Sequence, residues 1–154
     1  MAFRASLNKC ATFTAQNTWV NKAPDQNSKE CVAAVKALAD APQTSVWRRG
    51  KKVKGNSIVP GTAIATFPIE LGNRKFFRFE GHAAIFVQYT AIGIIVYDQW
   101  DSKHFGKRLI TYRCGGHVSD DGEAFFVIEL VEVPSSEPAL CSPSSCYSRL
   151  TCGR

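Results

Sequence analysis

The chain has 154 residues, 45% of them hydrophobic and 21% charged, and a formal net charge of +6. That length can bury a core without metal or disulfide staples, and the composition is that of a folded domain rather than a disordered one. No apolar run reaches the ~20 residues that a membrane-spanning helix needs, and the basic balance draws the surface toward polyanions.

Residues 1–27 carry Phe3, Leu7, Phe13, Trp19 and Val20 among small and polar residues without a sustained period. They read as a loosely structured segment packed over the start of the helix that follows. Met1 to Cys10 has no apolar h-region, so no secretory signal is read in the sequence as given. The expectation is a removed signal or another route of export.

The helix lies in Asn27-Ser28-Lys29-Glu30-Cys31-Val32-Ala33-Ala34-Val35-Lys36-Ala37-Leu38. Asn27 or Ser28 can cap it, and Val32, Val35, Leu38 and Ala39 recur at the spacing of one buried stripe. Cys31 is expected near the third helical position, where unpaired N–H groups and the positive end of the helix dipole favour a thiolate. Asp40-Ala41-Pro42 ends the helix. The same pattern also fits a small buried hydrophobe or half of a disulfide.

Gln43 to Asn56 reads as a polar loop with a short extended piece, an aromatic anchor at Trp47 and turns at Gly50 and Gly55. Basic charge concentrates in Arg48-Arg49-Gly50-Lys51-Lys52-Val53-Lys54 and in Lys103 to Arg108. Neither zinc-finger spacing, a long basic helix nor the aromatic strand motif of single-strand RNA readers accompanies it, which argues against nucleic acid as the partner. An anionic bacterial wall satisfies the same charge.

From Ile58 the chain turns to β. Thr62 to Phe67 follows the Pro60-Gly61 turn and is stopped by Pro68, and Lys75 to Phe79 is a short edge piece. Gly81 to Tyr89 and Gly93 to Trp100 are close enough to form a hairpin. Lys107 to Arg113 and Glu123 to Val131 follow. Five or six consecutive strands after one helix predict an α+β fold, an antiparallel sheet with the cysteine helix packed on one face. Residues 1–134 are read as the domain and 135–154 as a Ser/Pro/Cys-rich tail.

Six cysteines are more than a reducing cytosol encourages, and Cys141, Cys146 and Cys152 crowd the tail. With Cys31 reserved for chemistry, Cys10 and Cys114 join those three as candidates for bridges whose pairing stays open. The tail cysteines have no nearby histidine, and Cys114 with His117 makes no ligand set, so neither a metal nor another cofactor is expected.

His82 opens one strand of the hairpin and Asp98 lies near the end of the other, so the two can be neighbours. A helix-start thiolate, an imidazole facing it and a carboxylate orienting the imidazole make a Cys/His/Asp nucleophilic site. Gln99 is the reserve third member should a bulge shift the register. Each residue alone also fits an ordinary structural role, and His104 and His117 read as solvated loop residues.

Taken in order, Glu30-Cys31-Val32-Ala33, Trp47 with its basic glycine turn, Gly61 to Phe67, Gly81-His82-Ala83-Ala84-Ile85-Phe86 and Val96-Tyr97-Asp98-Gln99-Trp100 resemble the NlpC/CHAP-type cysteine amidases. More narrowly, the chain is similar to the second family of type VI secretion amidase effectors, whose homologues include antibacterial proteins acquired by eukaryotes such as ticks. The resemblance covers about residues 28 to 113. It implies a papain-like fold and hydrolysis of peptidoglycan stem peptides, at the D-Ala to meso-diaminopimelate cross-link, with Cys31 as nucleophile, His82 as base and Asp98 as third member. A substrate groove between the helix start and the strand ends would use Trp47, Gly81, Gln99 and Trp100. The implied setting is secretion or delivery to the bacterial envelope, with bacterial peptidoglycan as partner and a cognate immunity protein as a second one. Two other readings fit the same residues: a deamidating toxin on this scaffold, and a non-enzymatic, disulfide-stabilised basic protein that binds envelopes or nucleic acid.

Overall fold

A computed structural model of the chain describes residues 2–71, 76–113 and 116–130. Its elements run α1 (Leu7–Ala15), α2 (Cys31–Ala39), β1 (Trp47–Lys52), β2 (Ala63–Thr66), β3 (Ile69–Leu71), β4 (Phe76–Arg78), β5 (Ala83–Tyr89), β6 (Gly93–Trp100), β7 (Lys103–Thr111) and β8 (Phe125–Leu130). Six strands form one sheet in the order β1-β8-β2-β5-β6-β7, and every pairing in it is antiparallel. β3 and β4 pair separately as a short ribbon.

The central strands are apolar at consecutive positions because both faces of the sheet are covered. Ala63, Ala65, Ala83, Ile85, Val87, Tyr97 and Ile128 lie in the core shared with the helices, beside Ala34, Val35 and Cys10. Ile64, Ala84, Phe86, Ile94, Val96, Ile110 and Phe125 fill the opposite layer with Val53. Small residues on both sides of the helix interface let α2 close on β5 and β6. That packing sets the start of α2 beside the starts and ends of those strands.

Three local readings are corrected. Residues 1–27 are not loosely structured throughout: Ser6 caps α1 by accepting from the Lys9 N–H, and Cys10 is its buried residue. The Gln43 to Asn56 segment contributes a full edge strand, whose Trp47 is in the core. The cysteine helix, second in the chain, starts at Cys31 with Glu30 as its N-cap, so Cys31 is its first residue rather than its third. The Ser28 hydroxyl accepts from the Glu30 N–H, and so spends itself on the turn before the helix. Asp40, in the left-handed conformation at φ 53°, ends α2 as the sequence indicates.

Cys10 and Cys31 are free thiols. Cys114, Cys141, Cys146, Cys152 and the whole 135–154 tail lie outside the described residues, so the disulfide expectation and the boundary at 134 do too. No described helix is long and apolar enough to cross a membrane.

Candidate active site

Cys31 heads α2 at the rim of a cleft, and the residue before it is held from behind. The Glu30 carbonyl accepts from Gln99 Nε2 at 2.9 Å, while the same amide donates to the Val20 carbonyl at 3.0 Å and accepts from the Val20 N–H at 2.7 Å. Gln99 is 0% exposed, and every bond it makes goes to main chain. It therefore fixes the approach of the chain to Cys31. It does not face the cleft, which removes it both as a groove residue and as third member of a triad.

His82 is placed by Thr66. The His82 N–H donates to Thr66 Oγ1 at 3.0 Å, and the Thr66 N–H donates to the His82 carbonyl at 3.0 Å. The Thr66 hydroxyl in turn donates to the Glu80 carbonyl. Between them Gly81 adopts φ 100°, and a Cβ there would lie 2.7 Å from Thr66 Oγ1. Glycine serves this position because the turn that aims His82 needs a left-handed residue with no side chain.

The imidazole is buried, with Nε2 2.8 Å from Asp98 Oδ2. The ring's remaining nitrogen, Nδ1, is free of Asp98, and Cys31 and His82 line the same cleft. Burial, the strongest single influence on the ring, favours its neutral form. The hydrogen bond that the ring donates to the Asp98 carboxylate, with the influence of the neighbouring Cys31 and of the Asp98 charge, outweighs it, and the His82 pKa is pushed up to about 9.

Asp98 is fully buried and cationic groups surround it. Arg108 Nε donates to Oδ2 at 2.7 Å, the oxygen that also faces His82. Lys103 Nζ lies 3.1 Å from Oδ1, yet its hydrogen bonds go to the carbonyls of Asp98, His104 and Gly106. Oδ1 thus has a counter-charge without a hydrogen bond. Burial pushes the Asp98 carboxyl up most strongly, but the His82 hydrogen bond and the Arg108, His82 and Lys103 charges hold it below the usual carboxylate value.

The cleft has a volume of about 400 Å³, and its walls include Glu30, Cys31, Phe79, Gly81, His82, Trp100 and Asp101. The Trp100 ring stands edge-on to His82 with centroids 6.0 Å apart. Trp47 is not a wall of the cleft: it is 0% exposed, donates from Nε1 to the Pro42 carbonyl at 2.9 Å and packs behind Phe79 with ring centroids 5.0 Å apart. Of the four expected groove residues, Gly81 and Trp100 line the cleft, and Trp47 and Gln99 support it from inside.

Sequence reasoning passed over Thr66, Phe79, Lys103 and Arg108. The last two sit in a run read as surface charge; only the β6–β7 register, which pairs Asp98 with Gly106 and Val96 with Arg108, turns them toward Asp98. His104 is not a solvated loop residue either. It lies on β7, with Nδ1 2.9 Å from Asn17 Oδ1 and its ring edge-on to Trp19. Among the described residues no group of three or more His, Cys, Asp or Glu side chains is placed to hold a metal ion.

A family model described as domesticated amidase effector 2 matches residues 1–128. The chain is 44% identical over 110 residues to a domesticated amidase effector 2 of Ixodes scapularis, spanning 68% of this chain and 73% of that protein. Its structure is similar to that of a type 6 secretion amidase effector 2, with a TM-score of 0.59 and 28% identity, over 81% of this chain and 96% of the other. The shared papain-like architecture is the one in which the helix, sheet and cleft are arranged here.

Proposed function

The chain belongs to the domesticated amidase effector 2 family, and on that premise we propose that Cys31, His82 and Asp98 hydrolyse peptidoglycan stem peptides at the D-Ala to meso-diaminopimelate cross-link. That it is an amidase follows from the family; the bond and the residue roles are the proposal. The observation that carries it is a half-buried thiol at the first position of a helix, lining one cleft with a buried imidazole whose Nε2 is held 2.8 Å from a buried carboxylate.

In the first step the Cys31 thiolate attacks the scissile carbonyl carbon. The C–S bond forms, and the carbonyl electron pair moves onto oxygen. The Cys31 backbone N–H, which heads α2 and has no carbonyl of its own helix to reach, is available to that oxyanion. The tetrahedral intermediate collapses as the C–N bond breaks, with the imidazolium of His82 giving its proton to the leaving amine. A thioester remains. Water then gives a proton to neutral His82 and attacks the thioester carbon; the C–S bond breaks, releasing the carboxyl product and restoring the thiolate–imidazolium pair. Asp98 keeps the ring in the orientation that aims Nδ1 at sulfur throughout.

Exposed Lys51 and Lys52 on β1 and the net charge of +6 favour association with an anionic envelope. On this reading the enzyme works at the bacterial envelope, residues 1–134 are the catalytic domain, and 135–154 are appended to it. Purified sacculi incubated with the protein or with Cys31→Ala, then digested with muramidase and resolved by mass spectrometry, test it. Loss of cross-linked dimers only with the intact cysteine is expected. Unchanged fragments with both proteins, or equal loss with both, would overturn the reading.

A further inference from the structure

The Asp98 carboxylate oxygen that orients His82 is shared. Arg108 Nε occupies the same Oδ2, and the guanidinium continues outward, with Nη1 3.0 Å from Asp120 Oδ1 and Nη2 3.3 Å from the Ser119 carbonyl. Those two residues belong to the 3-10 turn Val118–Asp120. That turn lies against Gly81: a Cβ there would meet Val118 at 3.3 Å and Ser119 Oγ at 3.4 Å. One side chain therefore connects the carboxylate behind His82 with the turn that backs the glycine in front of it. The Trp100 ring, 5.0 Å from the guanidinium carbon, covers the assembly on the cleft side.

We propose that Arg108 is a positioning residue of this amidase, which competes with His82 for Asp98 Oδ2 and so limits how tightly the imidazolium proton is held. The inference rests on the roles assigned above to Cys31, His82 and Asp98.

The chemistry requires such a limit. A carboxylate buried against an imidazolium stabilises it, and an imidazolium that is too stable is a poor acid toward the leaving amine. A guanidinium on the shared oxygen withdraws part of that charge and repels the protonated ring. Lys103 cannot do this in the same way, because its ammonium stands at Oδ1 and its hydrogen bonds are committed to carbonyls. The charged groups facing one another are His82, Lys103 and Arg108 against Asp98 and Asp120, with the Cys31 sulfur in the cleft beside the ring. Glu30 and Asp101 line the adjoining cleft.

The test is an NMR titration of the His82 imidazole, distinguished from His104 and His117 by a His82→Gln reference, in the full-length protein. Arg108→Met should move the protonation midpoint of His82 up by about half a pH unit or more. Arg108→Lys should return it toward the wild-type value, since a cation is restored. Asp120→Asn, at a side chain 61% exposed and so harmless to folding, should move it down by leaving the guanidinium to Asp98 alone. In sacculus digestion Arg108→Met should lower kcat roughly tenfold with KM nearly unchanged, and Arg108→Lys should recover part of it. Midpoints for Arg108→Met and Asp120→Asn that coincide with wild type would overturn the proposal. Were Arg108→Met unfolded, the Asp120→Asn titration would still decide it: a lowered His82 midpoint supports the proposal and an unmoved one overturns it. The titration needs no substrate: if Cys31→Ala kept full activity the assigned roles would fall on that result, whereas an inactive Cys31→Ala with unmoved His82 midpoints would sink the Arg108 inference alone.

Discussion

The His82 imidazolium should make the stability of the protein depend on pH in a defined window. In the unfolded chain the ring titrates near 6.5, and in the folded protein near 9. The folded state binds the proton more tightly, so the contribution is complete below about pH 6.5 and is lost as pH rises through about 9. At about 1.4 kcal/mol per pH unit the ceiling is about 3 kcal/mol, of which about 2 kcal/mol remains at pH 7.5 and well under 1 kcal/mol at pH 9. Replacing His82 by Gln keeps a polar side chain of similar reach but removes the titration. With a urea m-value of about 2 kcal/mol per molar, the wild-type midpoint should fall by roughly 1.5 M more than that of His82→Gln between pH 6 and 9. Equilibrium urea curves followed by tryptophan fluorescence at four pH values measure this. Midpoints of the two proteins that run parallel over the range would refute the reasoning, since the pair with Asp98 and Cys31 would then store no protonation energy. Asp98 acts in the opposite window: its carboxyl is held low, so its contribution is present above the ordinary carboxylate range and disappears as acid protonates it.

Gly81→Ala should cost about 1–3 kcal/mol in urea unfolding, because the residue sits at φ 100° with its new methyl pressed on Thr66 Oγ1. Activity should fall beyond the loss in stability, since the Thr66 hydroxyl holds the His82 N–H; retention of wild-type kcat would count against that role. Gln99→Leu should destabilise by about 2–4 kcal/mol, as it strands the Val20 carbonyl and N–H in the interior and releases the Glu30 carbonyl at the cleft. A urea midpoint within error of wild type would show that the Glu30 and Val20 main chain finds other partners.

Much of the site could be read because Cys31, His82 and Asp98 each carry a local mark: a thiol opening an apolar stripe, and a His and an Asp at the two ends of a recognisable hairpin. The β5–β6 hairpin makes the last two neighbours with no information from elsewhere in the chain. What failed depended on distant partners. Trp47 in a polar, basic stretch looks like an exposed anchor, and only its pairing on β8 opposite Leu130 carries it into the core. Gln99, on the opposite face of a regular strand and so only a reserve for the third catalytic position, was also expected in the groove, and only its distant partners Val20 and Glu30 show where its amide goes. Arg108 lies in a run whose composition says solvent, and a strand register decides that it meets Asp98. The helix at Leu7–Ala15 did leave a trace in Leu7, Cys10 and Phe13 behind the Ser6 cap, too short to stand out among small polar residues.

The strand order has a consequence for when the enzyme becomes dangerous. β5 takes its place between β2 and β6, and β2 is bordered on its other side by β8, near the end of the described chain. His82 gains its backbone anchor only when β2 arrives, Asp98 its counter-ion only when β7 folds back, and Arg108 its outer tether only when the Val118–Asp120 turn forms. A nascent or unravelled chain holding Cys31 and α2 alone has a thiol but no acid to serve it. Catalytic competence thus waits on joining α2 to this cluster, whose own links, Thr66 to His82, Asp98 to Arg108 and Arg108 to Asp120, are each short in sequence. The contact of α2 with β5 and β6 is the distant one, and such contacts form slowly.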